Sequence, residues 1–118
     1  MTKFSFLEEA YPELFKICEL SEKLIEIDPS SCLGKSRLFS EKLATLIWEF
    51  EDLNEFQGTQ AERIQKLYYR NIIPDVVRDL LHQVRLSGNK ATHVGNSSKA
   101  EALFILNLLF LKLFILLR

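Results

Sequence analysis

The sequence predicts an all-α fold, an up-and-down bundle of four to five helices, and three observations predict it. Apolar residues recur at intervals of three and four over most of the 118 residues. Glycine and proline are scarce, and β-branched residues nowhere form the alternating run that a half-buried strand needs. Two hydroxyl–carboxylate pairs three residues apart, Thr59/Glu62 and Ser98/Glu101, have the form of capping boxes at helix starts. A chain of this length supports one hydrophobic core, so residues 1–118 are expected to be a single domain, either complete or the N-terminal domain of a longer protein.

The elements follow in order. Phe4 to Leu7 is a short apolar lead-in. Pro12 suits a first helical turn, and Leu14, Ile17, Cys18, Leu20, Leu24, Ile25 and Ile27 carry a first helix to Ile27. Asp28-Pro29 ends it and starts the next, with Asp28 as N-cap and Pro29 in the first turn. The second helix, Ser30 to Asp52, is expected to bury Leu33, Leu38, Phe39, Leu43, Leu46, Ile47 and Phe50, with Trp48 at an edge or interface and Arg37 paired to Glu41. Leu53 to Gly58 reads as a loop. A short third helix, Gln60 to Arg70, offers Ile64, Leu67 and Tyr68. The fourth starts at Pro74 or Asp75 and runs to His93, burying Val76, Val77, Leu80, Leu81 and Val84. Gly88 inside it costs about 1 kcal/mol relative to alanine, so it either admits a close neighbour or ends the helix early. Gly95-Asn96 is a turn. The last helix is apolar almost all round and is expected at the centre of the bundle or in an oligomer interface. Its uncharged run from Ala102 to Leu111 is far short of the ~20 residues a bilayer requires, so no membrane role is expected.

Charge is distributed unevenly within a net −1. Residues 1–62 hold six basic and thirteen acidic residues, net −7; residues 63–99 hold seven basic and two acidic, net +5. The positive stretch either attracts an anionic partner or pairs internally with the acidic first half. Cys18 and Cys32 lack metal-ligand spacing and are expected as reduced thiols of a cytoplasmic protein. Met1–Phe6 has one lysine and no apolar core segment, so no signal peptide is expected. No metal set, glycine-rich phosphate loop or nucleophile elbow is present, and no cofactor is expected.

Polar chemistry concentrates between Pro74 and His93. At about 100° per residue, Arg85, Asn89 and His93 form one stripe, with Lys90 alongside. Three readings stand open. His93 as acid/base with Arg85 stabilising phosphate charge would make a metal-independent ribonuclease, with Asn89 completing the set. Arg85 and Lys90 contacting phosphates would make a binding site without chemistry. Helix-end capping and internal pairing would make the stripe structural. His82, three residues before Arg85, either extends the cluster or is a surface residue. Tyr68-Tyr69 beside Arg63, Lys66 and Arg70 is a candidate base-stacking pair or core packing.

The strings Leu33-Gly34-Lys35-Ser36-Arg37-Leu38-Phe39-Ser40-Glu41-Lys42-Leu43 and Val84-Arg85-Leu86-Ser87-Gly88-Asn89-Lys90-Ala91-Thr92-His93, around a short middle helix, resemble a known domain. It is the HEPN-like domain at the N-terminus of type I restriction endonuclease R subunits and related helicase-like defence proteins. The resemblance covers about Tyr11 to Arg118. It implies an accessory module of a DNA restriction or phage-defence protein. Ribonuclease relatives pair two arginine–polar–histidine helices across a dimer. Here Gly88 precedes Asn89 and the arginine lies a turn earlier, so Arg85, Asn89, Lys90 and His93 are carried over as an anion or partner site. The expected function is a non-catalytic binding or assembly module, its partner DNA, RNA, a second copy or other subunits of a restriction complex. The alternatives are the dimeric ribonuclease and a stand-alone adaptor whose interface is Trp48 and the last helix.

Overall fold

The computed structural model describes residues 4–51, 58–94 and 97–117, and of residues 93, 94 and 113–117 it describes the backbone alone. Of the expected loop at 53–58, residues 53–57 lie outside the described residues, as does the expected turn at 95–96. A 3-10 turn (Ser5–Leu7) precedes α1 (Pro12–Ile27), α2 (Pro29–Phe50), α3 (Gln60–Tyr69), α4 (Asp75–Val94) and α5 (Lys99–Leu117). Among the described residues there is no strand. No described helix is long and apolar enough to cross a membrane.

Local chemistry sets the helix boundaries. The Asp28 carboxylate accepts from Ser31 N at 3.1 Å and from the Ser31 hydroxyl at 2.6 Å, and Pro29 occupies the first position of α2. The exposed Asp28 carboxyl is held below the usual range by those bonds. Thr59 and Glu62 close a complete capping box on α3. At α5, Ser98 Oγ accepts from Glu101 N at 3.1 Å.

α2 is the hub, packed against every other α-helix. Its strip Cys32, Ser36, Phe39 and Leu43 turns to one side, and the strip Leu33, Arg37, Ser40 and Ala44 turns to α4. The buried arc is therefore broad and includes small hydroxyls that close helix crossings require. Ser36 Oγ donates to Cys32 O at 3.0 Å, and Ser40 Oγ reaches Leu81 O on α4 at 3.5 Å. Of the expected face, Leu33, Phe39 and Leu43 are buried and Ile47 packs against the core, while the C-terminal end departs from it. Leu46 and Phe50 are exposed, whereas Trp48 is buried beneath the guanidinium of Arg70, 5.8 Å from the ring centroid. Trp48 therefore lies in the core and not at the expected edge or interface. Val76 is exposed as well, one position outside the α4 strip Val77, Leu80, Leu81 and Val84. α5 packs on α1, α2 and α4 through Ala102, Ile105, Leu106 and Leu109, while Leu103, Phe104 and Leu111 face outward.

Candidate functional site

Gly88 decides how α2 and α4 meet. A Cβ at this position would fall within 3.0 Å of the Arg37 Cβ, 3.0 Å from Leu33 O and 3.1 Å from the Arg37 Cδ. Glycine is therefore required by close approach of two helices, with no positive φ involved. Since Gly88 meets Leu33 and Arg37 while Leu81 meets Ser40, the helices run antiparallel. The end of α4 is tied to the start of α2 by Ser97 N donating to Ser30 Oγ at 3.1 Å, and the start of α5 to the end of α1 by the Lys99–Glu26 ion pair.

This crossing leaves one flank of the α2/α4 pair open beside α3. Along α4, Arg78, His82, Arg85, Asn89 and Thr92 recur at four- and three-residue steps, so they share that flank. Thr92 confirms the side: with Ser30, Ser31, Gly34, Lys35 and Arg37 it lines an open cleft of about 560 Å³. A second cleft of about 360 Å³ continues past Leu38 to Glu41, Lys42, Thr45, Gln60 and Arg63. Gln60 donates to Ser40 O at 3.2 Å and Arg63 to Thr45 Oγ1 at 3.1 Å, which seats α3 at the far end.

The expected site residues separate. Arg85 is half-buried on the flank, and Asn89 follows one turn on. Lys90 lies on the other side of α4, exposed, 4.0 Å from Glu101 of α5. The side chain of His93 lies outside the described residues. In its place the structure brings in His82, whose Nδ1 is 3.4 Å from Arg85 NH2. Arginine only donates, so Nδ1 accepts and Nε2 carries the proton. Burial, reinforced by the charges of Arg85 and Arg78, holds the imidazole below the usual histidine range, so it is neutral near pH 7. Sequence reasoning missed Arg37 as a site residue; its one signal was Gly88, which implied a close neighbour. Arg37 pairs with Glu41 at 3.1 Å through NH1.

Three N–H groups on this flank, Arg37 Nε, His82 Nε2 and Arg85 Nε, are shielded from solvent and have no acceptor among the described residues. Leaving such a donor unmet costs about 1–3 kcal/mol. Arg85 also forms no ion pair among the described residues, unlike Lys90 and Lys99, whose partners account for part of the uneven charge internally. The arrangement supplies donors and positive charge for an oxyanion. As chemistry, the one lone pair of a neutral His82, on Nδ1, faces Arg85, so the ring accepts a proton there only when that contact opens. Among the described residues no group of three or more His, Cys, Asp or Glu is placed to hold a metal.

The family model described as Domain of unknown function (DUF4145) matches residues 20–116. No curated protein and no solved structure matches the chain.

Proposed function

This chain belongs to the DUF4145 family, and we propose that it is a non-catalytic helical binding module whose α2/α4 flank contacts the phosphates of a nucleic acid. The observation that carries the reading is the set of three shielded donors without an acceptor, Arg37 Nε, His82 Nε2 and Arg85 Nε, with Lys35, Lys42 and Arg63 along the same two clefts. A phosphate offers several acceptors at once, and arginine meets it with paired N–H groups. The resemblance of the Arg85–His93 string to the HEPN-like domain of restriction R subunits supplies the setting, an accessory module in a DNA restriction or defence assembly.

Binding of a labelled oligonucleotide, followed by anisotropy from 50 to 300 mM salt, tests this. Affinity should fall steeply with salt. Arg85→Ala should weaken binding and reduce the slope of log K against log salt by about 0.7–0.9. Absence of binding at the lowest salt would overturn the proposal. A neutral His82 held against Arg85 favours a second reading, a metal-independent ribonuclease in which Arg85 stabilises phosphate charge. RNA cleavage in chelator, lost in both His82→Gln and Arg85→Ala, would establish it in place of the first.

A further inference from the structure

We propose that the partner of this flank is an unpaired nucleic-acid strand, and that Tyr69, with the Tyr68–Arg78 stack beside it, is a platform for its bases. The inference rests on the binding function proposed above and adds a ligand class and a site to it. Tyr69 closes α3 with 75% of its surface exposed, so its ring does nothing for the core. It lies 5.7 Å from the Tyr68 ring, centroid to centroid, and the Arg78 guanidinium sits 4.1 Å from the Tyr68 centroid. Asp79 holds that guanidinium through Arg78 Nε at 2.9 Å.

The platform is rigidly placed. Asn71 adopts φ 60, Asn71 N donates to Tyr68 O at 2.9 Å and Ile72 N to Leu67 O at 3.0 Å, so α3 ends in a hydrogen-bonded left-handed cap directly after Tyr69 and Arg70. The last turn and the residue after it carry Lys66 and Arg70, both exposed, and no carboxylate. From Arg78 the row His82, Arg85, Asn89 leads along α4 to Thr92 and the larger cleft, about 21 Å at 1.5 Å per residue. Exposed tyrosine and cation are thus the start of a track and not an isolated pair.

The two halves of this track point to one ligand. Cations alone suit any polyanion, but a wholly phosphate-contacting partner leaves Tyr69 with nothing to touch. Duplex bases are already stacked on each other and offer no face. An unpaired strand brings aromatic faces and phosphates together over a row of this length, and base–aromatic stacking with flanking cations is how such strands are held.

The test compares, on the intact chain, an unpaired oligonucleotide, its duplex and an abasic strand of the same length, each at low salt. The unpaired strand should bind tightest, and Tyr69→Ala should cost it about 5-fold or more while leaving the abasic strand unchanged. Tyr69→Phe should retain binding, since the ring and not the hydroxyl stacks. Equal affinity for the unpaired and abasic strands, or a Tyr69→Ala variant that binds as wild type, would overturn the platform and leave phosphate binding standing. Absence of binding to all three would overturn both.

Discussion

Replacing Gly88 by alanine sets two opposed effects against each other. In an ordinary helix interior the change gains about 1 kcal/mol from propensity. Here the new methyl would fall within 3.0 Å of the Arg37 Cβ and 3.0 Å from the Leu33 carbonyl oxygen. Carbon atoms prefer about 3.5–4.0 Å, so α2 and α4 must part by at least about 0.5 Å. Neither neighbour is able to swing aside, because one is a helix carbonyl and the other a Cβ fixed to its backbone. Overpacking of this kind costs about 1–3 kcal/mol and disturbs the flank that carries Arg37 and Arg85. Because both neighbours are fixed to backbone, the cost lies at the upper end, about 2–3 kcal/mol, and the net expectation is destabilisation of about 1–2 kcal/mol, a fall in Tm of roughly 4 °C or more. Gly34→Ala is the control. It lies within α2, its Cβ would meet nothing within 4 Å, and the same substitution should stabilise by up to about 1 kcal/mol. Urea unfolding followed by fluorescence of the single, buried Trp48 reads both variants. A Gly88→Ala protein as stable as wild type would refute the close-crossing argument.

Three further predictions follow from burial and charge. Cys18 and Cys32 are both buried; burial, with the nearby charge of Glu22, raises both thiols, Cys32 to about 11, so an aromatic disulfide reagent should react slowly at pH 8 until urea unfolds the chain. The His82 pKa lies below its unfolded value of about 6.5, so its contribution leaves stability intact above that pH and subtracts from it as pH falls below; urea midpoints at pH 7.5 and 5.5 should drop further for wild type than for His82→Gln. Lys90→Ala should leave oligonucleotide binding intact, and stability within about 0.5 kcal/mol, whereas Arg85→Ala should weaken binding, because Lys90 faces Glu101 across the bundle from the flank.

Helix positions were legible because they are set by local chemistry. Asp28-Pro29 and Thr59/Glu62 fix their termini with atoms three residues apart, so no tertiary knowledge is needed to find them. Which residues a helix buries is another matter when it is packed on several sides. In α2, Ser36 and Ser40 lie inside and Leu46 and Phe50 outside, since hydropathy does not register where close crossings demand small side chains. The site was half legible for the same reason. Periodicity put Arg85 and Asn89 on one stripe and already turns Lys90 about 140° away from Arg85, but only the Gly88 crossing brings Arg37 to their side. His82 gave no signal beyond its spacing of three from Arg85, and its neutral state depends on burial that spacing does not report.

The central claim is that the α2/α4 flank is the binding surface. Titrating a labelled sample with an unpaired oligonucleotide and following backbone amide chemical shifts tests it residue by residue. The account predicts shifts concentrated at Gly34 to Lys42, Tyr68 to Arg70 and Arg78 to Thr92, with α1 and α5 silent. Shifts centred instead on the outer face of α5, around Leu103, Phe104 and Leu111, would contradict it.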